Sequence, residues 1–197
     1  MNVFLRVALA AAIAATTPSW PLHAAVATIP ALPGDSVYQL DAALTDQDGH
    51  AVRFAEGRGK PRLVSMFYSS CPYMCPLIID TIKQTEHALP EAARSRLEVL
   101  MISLDAERDT PAKLKDMAAH RHIDTARWTL ANAEAVDVRR IAAVLGIQYR
   151  QLQNREFSHS SALVLLDAEG RIVARTERMG EVDRDFVAAV SRLLAAP

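Results

Sequence analysis

The stretch Phe67-Tyr68-Ser69-Ser70-Cys71-Pro72-Tyr73-Met74-Cys75-Pro76 contains both cysteines of the 197-residue chain, with three residues between them. The apolar run 63–67 leads into this stretch, and the apolar segment 77–82 follows it. A short apolar run, a proline-containing turn and a second apolar segment predict a buried strand, a tight turn and a helix. The two thiols are therefore predicted to lie where a strand gives way to a helix.

The rest of the chain shows further strand and helix signals. Asp48-Gly49 predicts a β-hairpin near the N-terminus, Thr110-Pro111 a helix start, and Gly146 a helix end. The predicted elements are an extended segment 36–44, strands 51–54 and 63–67, helix 76–89, strand 97–104, helix 110–120, strand 128–130, helix 134–145, an extended segment 147–152, a hairpin of strands 162–166 and 171–175, and a helix from about residue 183.

This order of elements predicts an α/β fold. Parallel strands joined by helical crossovers, followed by a hairpin and a helix, give a mixed sheet flanked by helices. The order is that of a thioredoxin-like domain with an N-terminal β-hairpin and one inserted helix. The composition agrees with a single globular domain, because half of the residues are hydrophobic and 23% are charged. The net charge of −1 gives no basic surface for nucleic acid.

Residues 1–27 are predicted to be a signal peptide, with an uncertain cleavage site. Arg6 supplies a positive charge, residues 7–15 form an apolar run, and residues 25–27 are small. The run is shorter than the ~20 residues of a membrane helix, so no lasting membrane span is expected; an uncleaved anchor is the alternative. Residues 28–197 are predicted to form a single thioredoxin-like domain, which in a bacterium is exported to the periplasm.

The thiol pair calls for a chemical explanation, because a disulfide that closes so short a loop adds little stability. We expect both sulfurs to face outward at the start of the helix, where the helix dipole and free N–H groups stabilise thiolates. Two thiolates suit a soft ion such as Cu(I), Zn(II) or an iron–sulfur centre. Two cysteines cannot hold a cluster alone, and structural zinc takes four ligands. Cu(I), in contrast, accepts two or three ligands.

A third ligand is sought among the histidines. His159 lies immediately before the apolar strand 162–166, and strand ends in open α/β sheets gather functional sites. On position alone, a ligand and an ordinary loop histidine explain His159 equally well. The other histidines after the predicted signal peptide are interpreted as exposed residues near turns and helix ends: His50, His87, His120 and His122.

Three motifs together resemble the Sco/SenC family, whose members are copper proteins that assist assembly of the cytochrome c oxidase copper site. The motifs are Cys71-Pro72-Tyr73-Met74-Cys75-Pro76, Asp105-Ala106-Glu107-Arg108-Asp109-Thr110-Pro111 and Phe157-Ser158-His159-Ser160. The resemblance covers about residues 35–194. It implies that Cys71, Cys75 and His159 bind copper, as Cu(I) or Cu(II), in a thioredoxin-like fold.

The resemblance also implies partners. They are a copper-accepting oxidase subunit or another periplasmic copper protein, together with a thiol reductant, because copper binding needs reduced thiols. We therefore predict a periplasmic copper metallochaperone rather than an enzyme. Two roles stay open: Met74 is either a soft auxiliary ligand or an apolar packing residue, and Asp105 either orients a ligand or caps a turn.

The alternative function is a thiol–disulfide oxidoreductase that uses Cys71 and Cys75 without metal. Thioredoxin-like oxidoreductases resemble one another in a cis-proline that faces the active cysteines. This chain has no proline between Pro111 and Pro197, and His159 stands at the matching place. The difference favours a metal ligand over a substrate-docking proline. The two functions are compatible, however, because the redox state of the thiols controls metal loading.

Overall fold

The computed structural model describes residues 31–195, so the predicted signal peptide at residues 1–27 lies outside the described residues. From Leu32 onward the described residues belong to one compact unit. Between residues 31 and 195, no helix has both the length and the apolarity that crossing a membrane requires.

The strands are β1 (Ala43–Asp46), β2 (Ala51–Arg53), β3 (Arg62–Phe67), β4 (Glu98–Ser103), β5 (Trp128–Asn132), β6 (Tyr149–Gln151), β7 (Phe157–His159), β8 (Leu163–Leu166) and β9 (Ile172–Thr176). The α-helices are α1 (Met74–His87), α2 (Glu91–Arg94), α3 (Pro111–His120), α4 (Ala135–Val144) and α5 (Arg184–Ala195).

The strand before the cysteines, β3, lies within a seven-stranded sheet of order β2-β1-β5-β4-β3-β8-β9. Strands β3, β4 and β5 are parallel, whereas β1, β2, β8 and β9 pair antiparallel with their neighbours. All six residues of β3 are buried, as a continuous apolar run predicts for a strand covered on both faces. The predicted mixed sheet with an N-terminal β-hairpin is confirmed, and the chain inserted between β4 and β8 contains α3, β5 and α4.

The sheet brings the three sequence motifs to one edge. The parallel strands β3 and β4 end side by side, with Phe67 opposite Ser103. Strand β8 runs antiparallel to β3 and therefore begins at the same edge. There the Ser65 hydroxyl donates a hydrogen bond to the Ala162 carbonyl over 2.8 Å. The segments after β3, after β4 and before β8 consequently meet, as expected where parallel strands end.

Three predicted helix boundaries agree with the structure. Cys75 lies in the first turn of α1, which begins at Met74. Thr110 caps α3 by accepting a hydrogen bond from the Lys113 N–H, and Pro111 is the first helical residue. Gly146 follows α4 with a φ of +65°, a conformation that glycine adopts without steric cost.

Two segments near the ends of predicted elements differ from expectation. The segment 36–44, predicted to be extended, contains a 3₁₀ turn at Val37–Gln39 before β1 begins. The Ser36 hydroxyl accepts a hydrogen bond from the Tyr38 N–H and stabilises this turn. The short helix α2 was not predicted, because four residues are too few to show helical periodicity.

The hairpin β6–β7 is the largest departure from the prediction. Strands β6 and β7 pair with each other, with Tyr149 opposite His159, and form a two-stranded sheet separate from the main sheet. Segment 147–152 was predicted to be extended, but its partner strand was not predicted. His159 therefore lies on a strand, rather than in the loop that the sequence suggested. Strands of three residues that are mostly exposed or half-buried leave little periodicity to detect.

Candidate metal centre

The dithiol loop, residues 68–75, connects β3 to the first turn of α1. Asp109, which is fully buried, anchors this loop. Its carboxylate accepts hydrogen bonds from the Ser69 N–H at 2.8 Å, the Ser69 hydroxyl and the Ser103 hydroxyl at 2.5 Å. Asp109 belongs to the segment 105–109 after β4, which we name the brace loop. The sequence included Asp109 only as part of a motif. Its role as an anchor was not predicted, because Asp109 and Ser69 are forty residues apart in the sequence.

Cys75 faces the protein interior and is 3% exposed. Its thiol donates a hydrogen bond to the Tyr68 carbonyl at 3.0 Å and accepts one from the Tyr68 N–H at 3.4 Å. Burial raises the pKa of the Cys75 thiol well above its ordinary value. The expectation that both sulfurs face outward is therefore wrong for Cys75, because its position in the first turn lies on the buried face of α1, with Ile78 and Ile79.

Cys71 is half-buried and lies just before α1. Burial is the largest single influence and raises its pKa. Hydrogen bonds from the backbone N–H groups of Cys75, Tyr73 and Met74 and from the Tyr68 hydroxyl outweigh burial and lower the pKa below its ordinary value. The predicted effect of the helix start on thiolates therefore applies to Cys71, whereas Cys75 is held as a neutral thiol. The two thiols are close enough for Cys71 to contribute to the raised pKa of Cys75.

His159 ends strand β7 and is partly buried. Burial lowers the pKa of its imidazole, against a smaller opposite effect of a hydrogen bond with the Ser160 carbonyl. The Nδ1 atom lies 3.2 Å from that carbonyl oxygen. Since a carbonyl only accepts hydrogen bonds, Nδ1 carries the proton and Nε2 of the neutral ring keeps a free lone pair. A neutral imidazole with a fixed tautomer is the form that ligates metals.

Tyr68 connects all three predicted ligands. Its backbone binds the Cys75 sulfur, its hydroxyl interacts with Cys71, and its ring lies edge-on to the His159 ring with the ring centroids 5.9 Å apart. The Tyr68 hydroxyl oxygen also lies 3.2 Å from the Phe157 carbonyl oxygen, so its one proton can be donated either to that carbonyl or to the Cys71 sulfur. Sequence reasoning missed Tyr68. Its position directly after the last residue of a buried strand was the available signal, because side chains at such strand ends lie at functional sites.

The brace loop also contacts the hairpin that carries His159. Arg108 donates from Nη2 to the Arg155 carbonyl at 2.6 Å, and its Nη1 lies 3.4 Å from the Glu156 carboxylate. On its other side, Arg108 forms an ion pair with Asp105, which is 3% exposed. Asp105 also accepts a hydrogen bond from the Arg108 N–H at 3.0 Å. The bond from the Arg108 N–H fits the capping of a turn, and the ion pair connects Asp105 through Arg108 to the hairpin, so the contacts are compatible with both roles left open for Asp105.

The three predicted ligands surround Tyr68 without closing on a single point. Within residues 31–195, no three His, Cys, Asp or Glu side chains are grouped so that they could hold a metal ion as they stand. Cys71 and Cys75 are adjacent, whereas His159 lies against the tyrosine ring. Met74, the residue with an open role as a soft ligand, is 36% exposed at the surface of α1. Bringing the imidazole to the sulfurs therefore requires a local movement.

The remaining histidines of the described part are exposed, as predicted. His50 pairs with Asp46 at 3.2 Å, and the Nδ1 atom of His120 lies 2.8 Å from the Asp116 carbonyl. These contacts are local to a turn and a helix end. His159 is thus the one histidine that the structure brings beside the dithiol loop, among residues 31–195.

Comparisons with known proteins identify proteins that this chain is similar to. The SCO1/SenC family model matches residues 33–195. A Stutzerimonas stutzeri protein described as copper-binding is 25% identical over 181 residues, which are 87% of this chain and 86% of the relative.

Solved structures are similar as well. Copper-bound ScoI from Bradyrhizobium japonicum has a TM-score of 0.62 at 23% identity, covering 78% of this chain and 98% of ScoI. BsSco, described as a Sco-family cytochrome c oxidase assembly protein with a disulfide switch, has a TM-score of 0.67 at 18% identity, covering 80% of this chain and 94% of BsSco. At these identities the likeness shows the fold alone, and the predicted thioredoxin-like fold is confirmed.

Proposed function

Since the chain belongs to the SCO1/SenC family, we propose that it is a periplasmic copper metallochaperone. It delivers copper to, or prepares the thiols of, the copper site of a respiratory oxidase. The proposal draws on the copper-binding description of the Stutzerimonas stutzeri relative and on the oxidase-assembly description of BsSco. The recipient is an oxidase subunit or another periplasmic copper protein.

One observation carries the proposal: a thiolate-favouring cysteine, a neutral thiol and a neutral imidazole surround one tyrosine at the edge of the sheet. Cys71 forms a thiolate more readily than an ordinary cysteine because hydrogen bonds from backbone N–H groups lower its pKa despite burial. His159 supplies an unprotonated Nε2 because its Nδ1 faces the Ser160 carbonyl. Two sulfurs and one imidazole form a donor set that suits copper, in which thiolates favour Cu(I).

Loading follows from the unequal exposure of the two thiols. The half-exposed Cys71 meets incoming copper first as a thiolate, and the ion then draws the Cys75 sulfur out of its hydrogen bond to the Tyr68 carbonyl. The proton of the Cys75 thiol is released to solvent or is taken up by a ligand group of the protein that brings the copper. His159 completes the site as the hairpin β6–β7 moves past Tyr68. Release to the recipient reverses these contacts, with one ligand exchanged at a time.

The second candidate function is a thiol–disulfide oxidoreductase. The pKa values of the two cysteines favour it, because that of the half-exposed Cys71 is lowered and that of the buried Cys75 is raised. This asymmetry suits an attacking thiolate and a resolving thiol. Under this function Cys71 attacks a partner disulfide and Cys75 resolves the mixed disulfide, with no role for His159.

Metal analysis of the reduced protein distinguishes the two functions. We expect one copper per wild-type chain, loss of copper in Cys71→Ala and weakened binding in His159→Ala. His120→Ala, which removes an exposed histidine on α3, is the matched control and should bind copper like the wild type. Copper content unchanged in His159→Ala would rule out the three-ligand site. No copper in the wild type, combined with turnover of a disulfide substrate, would establish the oxidoreductase instead.

The cellular location is tested separately. We expect the mature protein in the periplasmic fraction, with an N-terminus close to residue 28 after removal of the signal peptide. N-terminal sequencing of the exported protein measures the cleavage point. A membrane-bound protein that retains residues 1–27 would support the uncleaved anchor.

A further inference from the structure

The brace loop, residues 105–109, contacts both parts of the proposed copper site. At one end, the buried Asp109 carboxylate accepts two hydrogen bonds from Ser69, two residues before the first cysteine. At the other end, Arg108 donates to the Arg155 carbonyl at 2.6 Å, four residues before His159. Consecutive residues of one loop therefore hold the sulfur-bearing and the imidazole-bearing segments.

The hairpin β6–β7 has few other supports close to His159. It forms no backbone pairing with the main sheet among the residues described. A cavity of ≈ 380 Å³, lined by Tyr149, Phe157 and residues of the brace loop and α4, lies along one side of the hairpin, although Tyr149 and Phe157 also pack against the hydrophobic core. On the opposite side it contacts Tyr68, through the ring contact with His159 and the hydrogen bond to the Phe157 carbonyl. Its position thus depends on the core packing of Tyr149 and Phe157 and on the contacts with Tyr68 and Arg108.

The second contact between the brace loop and the hairpin is weaker. The Arg155 guanidinium pairs with Glu107 at 2.8 Å, but both side chains are largely exposed, at 62% and 77%. Exposed pairs of this kind contribute little. Arg108 is 27% exposed and has a better-defined geometry. The planar guanidinium binds the buried Asp105 with one nitrogen and the hairpin backbone with another, which a lysine ammonium cannot do from one position.

We infer that Arg108 is a positioning residue for His159: by tying the hairpin backbone at Arg155 to the buried Asp105, it sets where the imidazole stands relative to the two sulfurs. This inference rests on the proposed copper-binding function. Within the brace loop, Arg108 and Asp105 thus position the segment that carries the imidazole. Asp109, in the same loop, anchors the segment that carries the two sulfurs.

The test compares Arg108→Lys with the wild type in copper binding. Lysine retains a cation beside Asp105, so that the variant folds, but it lacks the second arm to the hairpin. We expect Cu(II) affinity, measured by chelator competition, to fall about 10-fold, the lower end of the range for residues that orient metal ligands. The nitrogen hyperfine coupling of the Cu(II) electron paramagnetic resonance spectrum should weaken. Arg140→Lys, an arginine paired with Asp137 on the surface of α4, is the matched control and should change neither quantity.

A double variant separates positioning from general destabilisation. If Arg108 acts through the imidazole, adding Arg108→Lys to His159→Ala should lower copper affinity no further than His159→Ala alone, within about twofold. A further loss equal to that of the single Arg108 variant would overturn the inference. So would wild-type affinity and an unchanged hyperfine pattern in Arg108→Lys.

A copper-free measurement keeps this inference separate from the proposed function. Hydrogen exchange of the β6–β7 backbone amides in the reduced, metal-free protein should be faster in Arg108→Lys than in Arg140→Lys. Equal exchange in the two variants would overturn the positioning role, whatever the protein binds. Absence of copper from the wild type, together with faster exchange, would overturn the proposed function and leave the link between Arg108 and the hairpin in place.

Discussion

The dithiol loop and the hairpin β6–β7 both face Tyr68, but they are attached to the protein in different ways. The dithiol loop continues a fully buried strand into a helix. The buried Asp109 holds this loop with two hydrogen bonds from Ser69 and accepts a third from Ser103 at the end of β4. The hairpin has three paired positions of its own, packs two partly buried aromatic side chains against the core, and contacts the brace loop and Tyr68 through side chains. The dithiol loop is thus continuous with elements of the core, whereas the hairpin that carries His159 packs against the core from outside.

This difference suits a protein that takes up an ion and later gives it away. A ligand fixed in the core keeps its geometry whether or not the ion is present. A ligand on a weakly attached segment approaches when the ion arrives and withdraws when a partner competes for it, because segments with few buried contacts open at low free-energy cost. We therefore expect the sulfurs to contribute more to copper affinity than His159 does. The following predictions test the difference between the two parts of the site, from the largest expected effect to the smallest.

Replacing Cys75 by serine should have the largest effect. The serine hydroxyl retains the shape and the hydrogen bond to the Tyr68 carbonyl, but it removes a thiolate ligand. Copper affinity should fall by more than the roughly 100-fold seen at most for residues that only orient ligands. Chelator competition measures the loss, and Ser70→Ala in the same loop is the control. A Cys75→Ser protein that binds copper within tenfold of the wild type would contradict a role for this sulfur.

Asp109→Ala should destabilise the protein, because it leaves the Ser69 N–H and the Ser103 hydroxyl without their buried acceptor. We expect a decrease of about 3 kcal/mol in the free energy of unfolding. Urea unfolding gives the change as a lower midpoint at unchanged slope. Asp41→Ala, whose side chain is 73% exposed and paired with Arg53, should change stability by at most about 1 kcal/mol. Equal losses in both variants would show that Asp109 does not anchor the dithiol loop.

The two cysteines should differ in reactivity with pH. A thiolate reacts with iodoacetamide and a thiol does not, so the rate rises as the pH passes upward through the pKa. Cys71 should be alkylated with a midpoint below its ordinary pKa, whereas Cys75 stays protonated and unreactive over the same range. At neutral pH, Cys71 should react at least about 10-fold faster, since one pKa unit corresponds to a factor of ten. Peptide mapping by mass spectrometry measures both rates, and comparable rates would remove the distinction between the thiols.

Tyr68→Phe should have the smallest effect. It removes the hydroxyl that lies beside the Phe157 carbonyl and Cys71 but keeps the ring against His159, so we expect a decrease of about 1 kcal/mol in the free energy of unfolding. The loss should appear as faster hydrogen exchange in β7 rather than in β3. Tyr149→Phe is the matched control, because Tyr149 contacts Phe157 through its ring. Faster exchange in β3 as well would mean that the hairpin and the sheet open together.

The sequence predicted the core-attached part of the site far better than the hairpin. The apolar run before the cysteines, the cap at Thr110 and the glycine at 146 are local signals, and each gave the right element. His159 was selected by its position before an apolar strand, but its own strand was missed. The reason is physical: β6 and β7 are short, and their pairing is stabilised by contacts with Tyr68 and Arg108 that come from distant segments.

The orientation of the cysteines shows a second limit. Periodicity placed Cys75 in the first turn of a helix, but the direction of its side chain depends on which face of α1 packs against the sheet. Residues Ile78 and Ile79 mark that face as buried. A stricter reading of the helical period would have placed Cys75 beside them. The role of Asp109 was not accessible in this way, because the hydrogen bonds to Ser69 depend on two parallel strands ending in register.

The Cys75 thiol keeps a proton that it donates to the Tyr68 carbonyl, so the dithiol loop releases this proton when the Cys75 sulfur forms a new bond. Any metal ion or sulfur atom that bonds to the Cys75 sulfur must displace a proton, whereas the lowered pKa of Cys71 makes its proton easier to lose. Under the proposed function, each loading event would therefore release a proton, and each release of copper would take the proton back. Under the proposed function, the copper affinity should therefore be lower in an acidic compartment and higher in an alkaline one.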